Sequence, residues 1–334
     1  MNDTIAQFAG KVLAGASPSR DEALALADAG VADPHELMYW AHKVRLANFG
    51  KAVSFCSIAA GRLGGCSEDC KWCAQSAQSS QELCKPAFTP KEDILAAAGQ
   101  AIDCGVECFC IVNSGKKPSP GELEKVLDAM SDLGKLKNST LCLSASLGEL
   151  NDEQAAALKA AGVRRYNHNL ESSRRHYANV VSTHSYDDRL RTLATARRAG
   201  IALCCGGIFG VGETWEDRVD LALTLRDEVQ PEVTPLNFLH PIPGTPLADA
   251  KQLQPLEILS IIAMFRLLLP KVDLKIAGGR TLNLRDLQSW VFYAGATSCI
   301  SGNLLTTTGR TIQQDMQMIE DLGLEFVPQI KKRH

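Results

Sequence analysis

Eight short runs of β-branched and apolar residues recur along the chain, at 53–60, 107–114, 140–146, 164–170, 202–208, 232–239, 273–279 and 297–302. Stretches of helical period separate them, at 91–104, 121–135, 152–161, 185–199, 213–228, 255–269 and 282–293, and another follows at 311–322. Several of these helices open on a cap or a first-turn proline, as at Thr89-Pro90, Ser119-Pro120 and Asn151-Asp152. Others close on glycine, at Gly105, Gly134, Gly162 and Gly200. Such alternation predicts an α/β fold, a (β/α)8 TIM-type barrel with inward residues at every second strand position and ligands at the C-terminal strand ends. Residues 51–303 supply the roughly 250 residues such a barrel takes. Residues 1–50 read as an N-terminal helical extension, and 304–334 as a closing helix and basic tail. An open doubly wound sheet is the weaker reading, because no Gly-rich dinucleotide fingerprint follows the first strand.

The chain has 334 residues, 45% of them hydrophobic and 22% charged, which predicts a packed core. Lys plus Arg total 35 against 38 Asp plus Glu, a formal charge of -3, which argues against a nucleic-acid partner. No run of 18 apolar residues is present, so no membrane span is expected. The start, MNDTIAQFAGK, shows no basic segment leading into an apolar core, and a cytoplasmic location is expected. In a reducing compartment the 12 cysteines would be buried thiols, metal ligands or redox groups, not a disulfide framework.

Cys66, Cys70 and Cys73 lie in a Cys-x3-Cys-x2-Cys loop just after the first predicted strand. A structural zinc site takes four ligands, commonly as separated pairs, whereas these three share one loop. Cys84 is a candidate fourth ligand but lacks a paired spacing. Three thiolates on a cubane leave one iron open, as a cluster that binds a substrate requires. The spacing, with Trp72 before the last cysteine, resembles the signature of the radical S-adenosylmethionine superfamily. That resemblance implies a four-iron four-sulfur (4Fe-4S) cluster whose open iron chelates the methionine amino and carboxylate groups. One electron then cleaves the sulfonium to give a 5′-deoxyadenosyl radical.

Three more cysteines fall on three predicted strands: Cys110 on the second, Cys142 on the third and Cys204 on the fifth, with Arg280 after the seventh. One such cysteine is ordinarily a small buried hydrophobe. Three that point inward would converge on the lumen and could hold a second cluster. From about residue 40 onward the chain strongly resembles the biotin synthase family. The likeness is carried by CysSerGluAspCysLysTrpCysAlaGlnSer (66–76), TyrAsnHisAsnLeuGlu (166–171), CysCysGlyGlyIlePheGlyValGlyGluThr (204–214) and GlyThrProLeu (244–247).

The resemblance implies sulfur insertion between two unactivated carbons of dethiobiotin, with an auxiliary two-iron two-sulfur (2Fe-2S) cluster as sulfur source. It places the auxiliary ligands on Cys110, Cys142, Cys204 and Arg280. It sets Asn169 and Asn237 near the ureido ring, and Glu171 near the ribose of S-adenosylmethionine. Ile208 falls beside the adenine, and Trp72 among the cofactor-binding residues. A flavodoxin-type electron donor and a homodimer are implied too. So is a division of the barrel into a radical S-adenosylmethionine core (51–228) and a biotin- and thiamine-synthesis-associated part (229–303).

This sequence departs from the family pattern in places. Cys108 stands where better-known members carry a basic residue, Cys205 where serine is usual, and Glu171 where aspartate is more common. Strand parity puts Cys108 on the face of Cys110, so either the cluster differs from the two-iron form or one extra thiol is a bystander. Cys205 is expected to point away unless the strand has ended there, and reads as the bystander, while Cys108 is left open between the two roles.

Asn167, Asn169 and Glu171 share one strand face, expected to be the lumen, while His168 opposite them reads as a packing residue. Arg174 and Arg175 read as solvated. Cys56, Cys84, Cys104, Cys108 and Cys299 default to buried thiols, with Cys56 on the first strand the next to examine. Two other functions fit parts of the pattern. A hydrogenase-cofactor maturase or carbon-skeleton mutase of the same barrel lineage needs only the loop cysteines. A zinc-stabilised binding module needs no catalysis at all.

Overall fold

The computed structural model describes residues 3–77, 79, 86–106, 108–136, 141–302, 309–328 and 330. Cys84 and the tail 331–334 lie outside the described residues. Three helices come first, α1 (Asp3–Leu13), α2 (Arg20–Ala32) and α3 (Pro34–Phe49), where a helical extension is expected. The barrel strands are β1 (Ala52–Leu63), β3 (Cys108–Asn113), β4 (Cys142–Ser146), β5 (Arg165–Asn167), β6 (Ala202–Cys204) continued by β7 (Gly207–Phe209), β8 (Val233–Phe238), β9 (Asp273–Ile276) and β10 (Ser298–Ile300). They pair in parallel in chain order, and β10 pairs back onto β1 through Ser298↔Ser54, closing the barrel. A two-residue β2 (Ala87–Phe88) runs antiparallel to the end of β1, and β11 (Glu325–Phe326) pairs with its start. The eight predicted strand regions coincide with these positions.

The surrounding helices are α4 (Lys91–Asp103), α5 (Pro120–Leu133), α6 (Asp152–Ala160), α7 (Arg174–Tyr177), α8 (Tyr186–Arg198), α9 (Trp215–Thr224), α10 (Pro255–Leu268), α11 (Arg280–Leu284), α12 (Trp290–Tyr293) and α13 (Ile312–Asp321). Reciprocal capping boxes start many of them, as with Ser119 and Glu122 on α5 and Asn151 and Gln154 on α6. The cap expected at Thr89 does not form. Pro90 takes that position and makes no side-chain cap bond. No helix among the described residues is long and apolar enough to cross a membrane.

The fifth strand, expected to be continuous, is broken at Cys205 and Gly206. Pro235 opposite has no N–H for the ladder. A Cβ on Gly206 would lie 1.9 Å from the Pro235 carbonyl oxygen, so only glycine fits. The Gly206 carbonyl turns instead to the backbone N–H groups of Leu170 (3.0 Å) and Glu171 (3.1 Å). This bend sets the residues after β5 against the start of β7, where the site forms.

The barrel's lower rim is tied to the first helices by Arg45. Fully buried on α3, it donates to the carbonyls of Ala296 (2.8 Å), Gly50 (2.8 Å) and Ala52 (2.9 Å).

Candidate active site in the barrel lumen

The Cys66–Cys73 loop leaves β1 through Gly64 and Gly65, both with positive φ (69° and 60°), a conformation that glycine adopts without strain. Three backbone bonds fold it back on itself: Cys66 N–H to the Gln75 carbonyl (3.0 Å), Ala77 N–H to Cys66 (2.7 Å) and Cys73 N–H to Cys70 (2.9 Å). Two acidic residues inside the loop anchor it. Asp69 accepts the backbone N–H groups of Ser182 (2.9 Å) and Thr183 (3.2 Å). Burial would raise its pKa, but these bonds outweigh burial and hold it at about 2. Glu68 accepts from Thr183 Oγ1 (2.8 Å) and lies 2.6 Å from His184 Nδ1.

His184 Nε2 faces Arg189 Nη2 at 2.9 Å, and Arg189 donates to the Asn169 carbonyl (2.8 Å). A single polar chain thus links the cysteine loop to the residues following β5. Sequence reasoning missed Glu68, Asp69, His184 and Arg189. Their only signal was acidic residues inside an otherwise chemical loop.

Burial raises the Cys70 thiol to about 12 and pushes Cys73 up as well, so both need a bound cation to ionise. Among the described residues, no group of three or more His, Cys, Asp or Glu converges closely enough to hold a single metal ion. Three thiols spread around one cavity wall suit a cluster better than a lone zinc.

The three thiols line a cavity of about 280 Å³ with Trp72, Asn113, Asn167, Asn169, Glu171 and Arg189. A neighbouring cavity of about 290 Å³ shares Trp72, Cys73, Asn169 and Glu171 and adds Ile208 and Asn237. The structure therefore brings together every loop, cofactor and ureido candidate named from the sequence. Several buried polar atoms here lack a protein partner: both amide atoms of Asn113, Oδ1 of Asn167 and Nε2 of His168. Buried polar groups are nearly always satisfied, so these atoms offer hydrogen-bonding capacity to a polar ligand.

Glu171 adopts φ +68°, rare for a residue with a side chain, and its carbonyl accepts from Ile208 N–H at 2.8 Å. Burial raises its pKa against the opposing effects of Arg189 and Asn169. Asn237 Nδ2 donates to the Gly207 carbonyl (3.1 Å) and its Oδ1 accepts from Gly278 N–H (2.9 Å). Half of its amide capacity remains for a ligand.

Deeper in the lumen lie Cys110, Cys142 and Cys204, all buried. Cys205, where the fifth strand breaks, is packed in the apolar core. Arg280, assigned to the auxiliary cluster from the resemblance, lies elsewhere. It heads α11 outside the barrel, with Nη2 on Asp315 of α13 (2.7 Å) and Nη1 near Cys299 Sγ (3.4 Å). Cys299 pairs in register with Phe55, whose ring packs on Phe326 outside the lumen. Two buried basic residues face the lumen thiols: Lys275 on β9, close to Cys56, Cys108 and Cys204, and Arg165 on β5, 3.7 Å from Cys108 Sγ. Cys104 is only partly buried, unlike the default expected for it. Arg174 and Arg175 are exposed and pair with Asp187 and Glu216, in keeping with solvated residues.

The barrel and its three-thiol loop define a radical S-adenosylmethionine protein, and the sequence model of the Radical SAM superfamily matches residues 62–225. The model for the Biotin and Thiamin Synthesis associated domain matches residues 235–325. The chain is 46% identical over 318 residues to the biotin synthase of Trichlorobacter lovleyi, covering 95% of each chain. It is 44% identical to that of Geobacter sulfurreducens, covering 95% of this chain and 96% of the relative. The chain belongs to the biotin synthase family.

Among solved structures, the [FeFe]-hydrogenase maturase HydG superposes with a TM-score of 0.83 at 14% identity, covering 98% of this chain and 76% of that one. Methylornithine synthase (PylB) gives 0.80 at 20% identity, covering 96% and 97%. At such identities these likenesses speak for the barrel alone. The family implies a 4Fe-4S cluster, S-adenosylmethionine and an auxiliary 2Fe-2S cluster.

Proposed function

We propose that this chain converts dethiobiotin to biotin, with the Cys66, Cys70 and Cys73 thiolates holding the catalytic cluster at the C-terminal mouth of the barrel. Held by Cys66, Cys70 and Cys73, the loop cluster would supply one-electron reducing chemistry toward S-adenosylmethionine, and an auxiliary cluster held among the deeper thiols would supply sulfur.

The chain's own residues fix the two reactants. Glu171 holds the ribose hydroxyls of S-adenosylmethionine, Ile208 packs beside the adenine, and Trp72 covers the cavity wall both sites share. Asn169 and Asn237 hold the ureido ring from adjacent lumen positions. The Asn237 amide is pre-set by its bonds to Gly207 and Gly278, which lowers the ordering cost of binding. Cys66, Cys70 and Cys73 are partly buried at the mouth and Cys110, Cys142 and Cys204 fully buried below them, which would limit the access of oxygen to radical chemistry in the lumen. Lumen residues 51–228 carry the radical chemistry, and 229–303 contribute Asn237 and the far wall. A flavodoxin-type donor delivers the electron, and the working unit is a homodimer.

The observation that carries this reading is one lumen lined from the three-thiol loop at its mouth down to Cys110, Cys142 and Cys204. Anaerobically reconstituted protein supplied with S-adenosylmethionine, dethiobiotin and reductant should yield biotin and 5′-deoxyadenosine. Cys66→Ala should yield neither. Release of 5′-deoxyadenosine without biotin from the wild-type protein would move the chain toward a different radical reaction.

A further inference from the structure

We propose that Cys56 and Cys108 are ligands of the auxiliary cluster and that Arg280 is not. The proposal rests on the reading above, that sulfur insertion draws on a second cluster in this lumen.

Register places the thiols. Cys56 on β1 pairs with Cys108 on β3, and Cys108 pairs with Cys142 on β4. Three inward thiols therefore sit at one level on three adjacent strands, which run about 4.8 Å apart. The sulfurs of Cys56 and Cys108 are 3.0 Å from one another. Cys110 stands one inward position above Cys108 on the same strand and interacts electrostatically with Cys204 across the lumen. Five thiols thus gather where the sequence reading had three.

Two cations complete the group. Arg165 Nη1 lies 3.7 Å from Cys108 Sγ. Lys275, inward on β9 two strands from β1, is level with Ser298 and Ser54, one inward position below Cys56. A cavity of about 300 Å³ at the opening ends of the strands reaches Cys56, Cys108, Arg165 and Lys275, while Cys110, Cys142 and Cys204 lie beyond its lining.

Four thiolates are the ordinary ligand set of a two-iron cluster, so five thiols complete the coordination without a nitrogen donor. Thiolates held in the lumen carry negative charge that Lys275 and Arg165 offset, as buried charge requires. Arg280 could join only by leaving Asp315, whose carboxylate is fully buried and would lose that partner.

The test is Mössbauer spectroscopy, with iron and sulfide counts, on anaerobic protein reconstituted with iron-57. Wild type should show two clusters. In Cys56→Ala/Cys108→Ala the auxiliary signal should be lost or displaced and iron should fall toward about four per chain, the content of the loop cluster alone. The unchanged loop-cluster signal reports that the variant has folded. Arg280→Lys, which keeps a cation beside Asp315, should leave both signals as in wild type. An auxiliary signal that survives the double substitution, or one altered by Arg280→Lys, overturns the ligand assignment. A wild-type protein with one cluster only overturns the two-cluster reading itself.

Discussion

Oε2 of Glu68 stands 2.6 Å from Nδ1 of His184, so a carboxylate inside the cysteine loop is held by the residue just before the cap of α8. The loop is not positioned by its own backbone alone. Its orientation is set through Glu68, His184 and Arg189 by the same strand end that carries Asn169 and Glu171.

His184→Ala should leave the loop cysteines in place chemically while loosening their orientation. Loss of this buried bond should cost about 1–3 kcal/mol of stability. Cluster incorporation, followed by absorbance during anaerobic reconstitution, should be slower and less complete than in wild type. Full incorporation at the wild-type rate would show that His184 does not position the loop.

Asp217 gives a pH dependence. Burial would raise its pKa, but hydrogen bonds from Ser173, Thr214 and Arg175 outweigh burial and hold it well below the usual carboxylate range. A carboxylate depressed on folding adds stability above its unfolded pKa of about 3.9, and that stability is lost as pH falls further. Asp217→Asn should therefore destabilise the protein by about 1–3 kcal/mol at pH 7. In urea melts the gap between variant and wild type should shrink as pH drops below about 4. A gap that stays constant to low pH would remove the ionic explanation.

The two faces of glycine make a paired test. Gly206→Ala drives a Cβ to 1.9 Å from the Pro235 carbonyl and should cost several kcal/mol or prevent folding. Gly99 lies within α4 with nothing within 4 Å of an added Cβ, so Gly99→Ala should stabilise by about 0.5–1 kcal/mol. Thermal melts of the two variants should move in opposite directions.

Binding should separate by residue. Glu171→Gln should raise the KM for S-adenosylmethionine by about tenfold, the loss of one charge-assisted bond. Asn237→Ala should raise the KM for dethiobiotin instead and leave that for S-adenosylmethionine near wild type. Steady-state assays varying each substrate in turn decide the assignment, and an effect of Asn237→Ala on both would merge the two subsites.

Much of this was legible in the sequence because the deciding patterns are local. Alternation located the eight strands, and the shared polar face of Asn167 and Asn169 does line the lumen cavity. The loop cysteines declared themselves by spacing. The rest depended on register between strands, which no single segment encodes. Cys56 and Cys108 lie 52 residues apart in the chain and meet only because β1 pairs with β3 at that level. The place of Arg280 beside Asp315 was hidden for a related reason, because the chain turns into α11 after β9 and its partner lies on α13. The break at Gly206 was hidden because its cause, Pro235, sits on another strand.

The cavity beside Cys56 and Cys108 is framed by the opening residues of the strands, Ser54, Arg165, Val233 and Asp273, whereas the Cys66 loop crowns their closing ends. Among the described residues the barrel thus carries a cavity at each pole. A small sulfur species arriving from below would meet the lower thiols before anything bound at the upper mouth, so replenishment and catalysis need not share a doorway.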